Sequence, residues 1–243
     1  MANRIPKIYV ASLLKDGALI PYEEALQIQQ QAWELALKEG CGFLFLLEHP
    51  PVITYGKRIC HPDPERSEGE GSLLSFPSYQ TDRGGETTYH GPGQIVGYPI
   101  FPLAHLRLRP KLYVEKIIDV LNKTLQHFGI HGEKGEHSGV WVRGKKVGFI
   151  GVRISRGVSR HGFAINLSVD LTPYKMMKCC GLMADRISSL EALGFSIDRN
   201  KFISALLVSM GSIFDVATIP LLDGESPASY NSLLLRKYRQ YIV

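Results

Sequence analysis

The sequence predicts an α+β domain built on a mixed, largely antiparallel sheet flanked by helices. Apolar runs of strand length outnumber the runs with helical periodicity. Several neighbouring strand candidates are joined by too few residues for a crossover helix, which favours antiparallel pairing. The segments at 22–38 and 113–128 each carry apolar residues at helical spacing, enough to cover such a sheet. A chain of 243 residues with 44% hydrophobic content suits one domain with a substantial core. The expectation is therefore a single domain over 1–243, with a surface-loop insertion at 60–77 and a C-terminal tail at 215–243.

In chain order, 7–14 reads as an opening strand and Asp16-Gly17 as a turn. Pro21 opens a helix near Tyr22 that runs to Lys38 and stops at Gly40, with Ala25, Ile28, Ala32 and Leu35 facing the core. The unbroken apolar run at 43–47 predicts a buried strand. His49, Pro50 and Pro51 interrupt it, and an extended path resumes over 52–55 up to Gly56. Residues 60–77 turn polar and breaker-rich, the composition of a solvated surface loop. A strand follows at 94–101. The helix at 113–128 aligns Val114, Ile117, Ile118, Leu121, Leu125 and Phe128 in one stripe, with Gly129 as its stop. The runs 139–142 and 146–154, joined by Arg143-Gly144, predict a β-hairpin, and 161–167 a further strand. Asp198 precedes a helix over 199–214 in the N-cap position, and 229–241 predicts a short terminal helix.

Composition excludes several functions. A net charge of +5 and a pI near 9.0, without a Lys/Arg run, argue against a nucleic-acid binder and fit an acidic protein partner. No apolar run reaches bilayer-spanning length, and the residues after Met1 lack the apolar segment of a signal peptide, so the expected location is cytoplasmic and not membrane-bound. The cysteines Cys41, Cys60, Cys179 and Cys180 are too few for a disulfide framework and have no zinc-ligand spacing, so no metal is expected.

The stretch from Asp82 to Gln94 holds Gly84, Gly85, Gly91, Pro92 and Gly93 just before the strand at 94–101. Such a loop serves either as a plain turn or as a rigid backbone cradle for a small substrate. Lys146 enters a strand of small and apolar residues. Buried, it needs an anion and gains an adjustable pKa; the alternative is an edge lysine beside Lys145 that points to solvent. Cys180 follows an irregular segment and precedes Gly181. An inert buried thiol is the default for cysteine, whereas a loop thiol beside a lysine is a nucleophile, because ammonium stabilises thiolate. Of the histidines, His90 is the foremost supporting candidate because it closes the glycine-rich loop, followed by His161 and His49. Arg83 either holds a substrate carbonyl or phosphate, or forms a salt bridge with Asp82 or Glu86.

The run RGGETTYHGPGQ (83–94) resembles the signature of the octanoyltransferases of lipoate synthesis, the lipoate–protein ligase B family. The resemblance extends in order through LEHPP (47–51), GVWV (139–142), KKVGFIGVR (145–153), HGFAIN (161–166) and CG (180–181), covering residues 20 to 190. It implies the fold shared by biotin and lipoate protein ligases. It implies an acyltransferase that moves octanoyl from acyl carrier protein to a lysine of lipoyl domains, those of 2-oxoacid dehydrogenase E2 subunits and of glycine cleavage H protein. Cys180 would carry the acyl group as a thioester, and Lys146 would lower the thiol pKa and transfer protons. Substrate contacts would fall on Arg83, Gly84, Gly85, Glu86, Thr87, Thr88, Tyr89 and His90, on Phe149, Ile150 and Gly151, and on Gly162, Phe163 and Ala164. Cys179 stands where the family usually has proline, and Gly181 assigns the reacting thiol to Cys180. The 60–77 loop is longer than the family pattern. Thioester exchange and thioester aminolysis need neither nucleotide nor metal, so no cofactor is expected, and no phosphate-binding or dinucleotide fingerprint occurs. Phe149, Ile150, Phe163 and Tyr89 would wall an octanoyl tunnel, or else serve as ordinary core, and amides near Gly181 would form an oxyanion hole. An ATP-dependent ligase on the same scaffold and a non-catalytic carrier-binding module are the competing readings.

Overall fold

The computed structural model describes residues 6–59, 76–133, 135–175 and 184–221. In chain order its strands are β1 (Lys7–Ser12), β2 (Gly42–Leu47), β3 (Val52–Tyr55), β4 (Ser78–Gln80), β5 (Thr87–His90), β6 (Gln94–Ile100), β7 (Val140–Val142), β8 (Lys145–Ser155), β9 (Val158–Asn166) and β10 (Ala217–Pro220). Its helices are α1 (Tyr22–Glu39), α2 (Pro110–Gln126), the single turn α3 (Thr172–Lys175) and α4 (Arg199–Phe214). Among the described residues the strands form two sheets, ordered β10-β1-β2-β6-β9-β8-β7 and β4-β3-β5. The β10–β1 and β1–β2 pairs are parallel, and the other pairs of the large sheet are antiparallel. The predicted mixed, largely antiparallel class is what forms.

β2 shows why the run at 43–47 has no polar residue. Phe43, Phe45 and Leu47 face α1, while Leu44 and Leu46 face the opposite core under α2 and α4. A strand covered on both faces loses the apolar–polar alternation of a half-buried one. The pause at His49, Pro50 and Pro51 moves the chain between sheets, since β2 belongs to the large sheet and β3 to the small one. The small sheet and α1 cover one face of the large sheet; α2 and α4 cover the other.

The helix boundaries follow local chemistry. α1 ends at Gly40, which is left-handed at φ 70° and returns its N–H to the Ala36 carbonyl. α4 begins where the Asp198 carboxylate accepts the Lys201 N–H at 2.8 Å. α2 starts earlier than its apolar stripe suggests, at Pro110, which fits the first helical position because it lacks an N–H to leave unpaired. Its buried side is Tyr113, Ile117, Val120, Leu121, Thr124 and Leu125. Val114, Ile118 and Phe128 are only half-buried at its margin, as is Leu35 on α1, because the covered strip is centred one residue away from the expected one. The opening strand stops at Ser12, followed by a 3-10 turn at Lys15–Gly17. β4, β5 and β10 were not foreseen: β4 and β10 are short edge strands with little burial, and β5 is a buried strand inside the stretch read as a glycine-rich loop, formed because residues 87–90 pair with β3. Most of the 60–77 loop, the predicted terminal helix at 229–241, and Cys179, Cys180 and Gly181 lie outside the described residues.

Candidate active site

A narrow cleft opens between the large sheet and its cover of α1 and small sheet. Its sheet side includes Val96 and Tyr98 of β6, Ala164 and Gly162 of β9, and Phe149 and Gly151 of β8. Tyr22 of α1, Thr88 and His90 of β5, and Arg83 and Gly85 of the glycine-rich loop complete it, with Lys146 at one end. Strand spacing of about 3.3 Å per residue puts Gly151 roughly 13–16 Å from Lys146 along β8.

Lys146 reaches this cleft through an irregularity. Residues 146 and 149 are an odd number apart and in a regular strand would point to opposite faces. The β7–β8 register slips, with Val140 opposite Gly148 but Trp141 opposite Lys146. One extra residue on β8 therefore re-aims Lys146 onto the side of Phe149. Its ammonium lies 5.1 Å from the Phe149 ring centroid and 6.0 Å from that of Trp141, within cation–π reach. The side chain is only 3% exposed, so the expectation of a solvent-facing edge lysine is the one that fails. Gly139 makes room: a Cβ there would come within 2.6 Å of the lysine Cε. Close beside it the chain passes again, with Ile187 bridged to Lys146 and the Ser188 N–H bonded to the Lys146 carbonyl at 3.0 Å.

A second irregularity sits at the far end. His161 is left-handed, φ 55°, and Gln29 accepts its backbone N–H at 2.8 Å. Consecutive strand residues normally diverge, but here Arg160 Nη2 and His161 Nε2 converge on the Asp82 carboxylate, each at 2.6 Å. The His161 hydrogen bond, with Arg160 and Arg153 nearby, holds the Asp82 pKa down at about 2. Burial lowers the His161 pKa despite that carboxylate, so the ring is neutral near pH 7 and donates its Nε2–H.

Arg83 is 6% exposed and makes neither of the salt bridges considered for it with Asp82 or Glu86. It donates to Thr54 Oγ1 and the Thr54 carbonyl, and to the carbonyls of Gly84 and Glu86. The guanidinium thus straps the loop to β3, while the Gly84 N–H binds the Val152 carbonyl at 3.0 Å. Gly151 has no Cβ, which leaves the space that the Arg83 chain fills.

His90 donates Nδ1–H to Gln94 Oε1 at 2.6 Å, leaving Nε2 as an acceptor. Gln94 in turn donates to Asn166 Oδ1 and to the Tyr174 hydroxyl, at 2.8 and 2.9 Å. Burial, with His49 close by, pushes the His90 pKa down to about 3. His49 is fully buried away from the cleft lining and ties Ile20 to Tyr98, at 2.6 and 2.7 Å; burial lowers its pKa to about 4. Neither can act as a base of ordinary histidine strength.

The expected contact residues divide. Arg83, Gly85, Thr88, His90, Phe149, Ile150, Gly151, Gly162, Phe163 and Ala164 line the cleft, but Gly84, Glu86, Thr87 and Tyr89 do not. Tyr89 packs edge-on against Tyr174 and Phe76 instead. Phe163 packs with the α2/α4 core, its ring lying over Gly97, and Ile150 packs against that core too. Tyr22, Val96 and Tyr98 were missed, since their spacing signals only ordinary core. Gln94, Asn166 and Asp82 stood inside or beside conspicuous motifs, yet only the folded network shows what they hold.

Residues 21–211 match the family of lipoyl protein ligase A/B catalytic domains. Similar proteins include an octanoyltransferase of Clostridium kluyveri, 37% identical over 88% of this chain and 91% of its own length. Another, from Gloeobacter violaceus, is 39% identical over 77% of this chain and 84% of its own. The fold is similar to that of a lipoate-protein ligase A solved with ATP, at TM-score 0.71 and 10% identity, covering 90% of each chain.

Proposed function

The chain belongs to the lipoyl protein ligase A/B catalytic domain family, and from that premise we propose how it performs its reaction with Cys180 and Lys146. It is an octanoyltransferase of lipoate biosynthesis. In the proposed sequence, a Cys180 thiolate paired with the Lys146 ammonium attacks the thioester of octanoyl-acyl carrier protein. The carrier's sulfur leaves with the proton from Lys146, and octanoyl stays on Cys180 as a thioester. The neutral Lys146 amine then takes a proton from the acceptor lysine of a lipoyl domain as that nitrogen attacks. An amide forms, and Cys180 returns to thiolate beside an ammonium. Exchange between thioesters is nearly balanced and aminolysis is downhill, so neither nucleotide nor metal is consumed.

The observation that carries this reading is Lys146, a cation buried at one end of a part-apolar cleft. Burial gives an ammonium strong reason to keep an anion close. Both described flanks of the segment holding Cys180 are tied to the same place. Tyr174 stacks on Phe149 at 5.6 Å, and Lys145 donates to the Asp185 carbonyl next to the Lys146–Ile187 bridge. The acyl chain would lie over Phe149, Ala164 and Val96, where burial contributes about 0.8 kcal/mol per CH₂.

Acyl carrier protein and the lipoyl domains of E2 subunits and H protein are the partners this reading names, and a net charge of +5 favours acidic ones. The cytoplasm is the compartment that keeps Cys180 reduced; among the described residues no helix is long and apolar enough to cross a membrane. The test supplies octanoyl-acyl carrier protein and a lipoyl domain without nucleotide. An octanoylated lysine on the domain is expected; a strict requirement for ATP would point to a ligase.

A further inference from the structure

We propose that the buried amide pair Gln94 and Asn166 is the clamp that keeps Cys180 beside Lys146, by holding both stems of the segment between Tyr174 and Ser188. The proposal rests on the reading in which that thiol and that ammonium react together. In it Gln94 and Asn166 are positioning residues, acting through the chain they hold. Both side chains are fully buried, and they stand opposite each other where β6 pairs with β9. Gln94 Nε2 donates to Asn166 Oδ1 at 2.8 Å and to the Tyr174 hydroxyl at 2.9 Å, and that hydroxyl donates to the Tyr89 carbonyl. Asn166 Nδ2 donates to the Ser188 carbonyl at 3.0 Å, while the Ser188 N–H goes to the Lys146 carbonyl. Tyr174 also stacks on Phe149, whose ring lies 5.1 Å from the Lys146 ammonium.

The sheet itself does not need this pair. The next cross-strand pair, Ile95 with Ile165, is apolar and equally buried. Apolar side chains at 94 and 166 would fill the same place without taking four amide atoms out of water. What the amides add is two bonds that leave the sheet, one to each side of the segment that carries Cys180. Cys180 stands six residues after Tyr174 and eight before Ser188. Extended spans of that length reach about 20–27 Å, far beyond the roughly 4–6 Å over which a charge favours its counter-ion. Fixing one stem at Phe149 and the other at Lys146 confines the thiol to that range. The other charged groups around Lys146 are bonded elsewhere, Lys145 to the Asp185 carbonyl and Arg186 to Glu136, so changes at the amide pair leave the local charge as it is.

The test is the pH dependence of iodoacetamide alkylation at Cys180, read by peptide mass spectrometry, beside thermal melts of the same full-length proteins. Wild-type Cys180 should titrate well below the ordinary thiol value of about 8.5. Gln94→Met, close in shape but without the donors, should raise that midpoint by about one unit and lower octanoyl transfer about tenfold with it. Tyr174→Phe removes only the hydroxyl and leaves the His90–Gln94 bond. It should move the midpoint the same way by less, and it carries the test if Gln94→Met does not fold. Leu121→Ala, destabilised on the other face of the sheet, should leave the midpoint in place. An unshifted midpoint in the folded variants, or an equal shift in Leu121→Ala, overturns the clamp and leaves the amide network a matter of stability alone. A wild-type midpoint near the ordinary value would instead defeat the Cys180–Lys146 reading, and the clamp with it.

Discussion

The two faces of the large sheet are built to different rules. Toward α2 and α4 the interior is close to uniformly apolar, with Phe101, Tyr113, Phe202 and Phe214 packed around Leu121 and Leu206. Toward α1 and the small sheet, an apolar patch around Phe43, Phe45 and Ala32 gives way to buried Lys146, His49, His90, His161, Arg83 and Gln94. The first face follows strand alternation over most of its length. The second departs from it where chemistry is expected: at the β7–β8 register slip behind Lys146, and at left-handed His161. The larger apolar cluster lies on the first face, and the candidate site on the second.

That division is open to attack from both sides. On the irregular face, Lys146→Arg keeps the charge but cannot give up a proton near neutral pH, so kcat should fall by about 10²–10⁴ without comparable loss of stability. Steady-state transfer assays and thermal melts on one preparation decide. Wild-type turnover would reduce Lys146 to a structural cation. On the regular face, Leu121→Ala should cost about 2–5 kcal/mol in denaturant unfolding and leave the rate per folded molecule alone. A specific loss of rate there would join the two faces.

Gly139→Ala attacks the placement of Lys146 rather than its chemistry. The added Cβ would run into the Gly148 carbonyl and meet the lysine Cε at 2.6 Å. Displacement of this kind should lower kcat by on the order of tenfold to a hundredfold. Retained kcat would show that the lysine tolerates movement.

Acid should find the irregular face first. His49 and His90 are held near pKa 4 and 3 by burial, below the ordinary value of 6.5. Above pH 6.5 both folded and unfolded chains carry them neutral, and no stability depends on them. Below it the unfolded chain takes up protons that the folded one refuses, so stability should decline from about pH 6.5 toward 4. The slope is about 1.4 kcal/mol per pH unit for each such histidine. Replacing His49 with Gln should flatten it, as urea melts across that range would show. The smallest effect belongs to the exposed Lys111–Glu115 pair at 4.0 Å, where Lys111→Ala should change stability by less than about 0.5 kcal/mol.

The regular face was the more legible in sequence, and for the same physical reason. Periodicity reports repeating patterns, so β2, α2 and α4 were visible with the cap at Asp198, and on the other face so was α1 with its glycine stop at Gly40, over the apolar patch that precedes the polar residues. Periodicity is silent where alternation breaks. The slip that turns Lys146 inward depends on how β8 pairs with β7, and left-handed His161 on Gln29 and Asp82, which are far away in the chain. Motif resemblance reached Lys146, Arg83 and His90 without saying how they are held. Tyr22 and Tyr98 had no signal of either kind, and β4 and β10 are too short and exposed to leave a pattern.

The most direct test is the intact mass of the protein after brief exposure to octanoyl-acyl carrier protein alone, with no nucleotide and no acceptor. The account predicts one octanoyl adduct, removed by hydroxylamine and located on Cys180 by peptide mapping, with no adduct on the Cys180→Ser protein. An unmodified wild-type protein that nevertheless transfers octanoyl, or full turnover by Cys180→Ser, would contradict it.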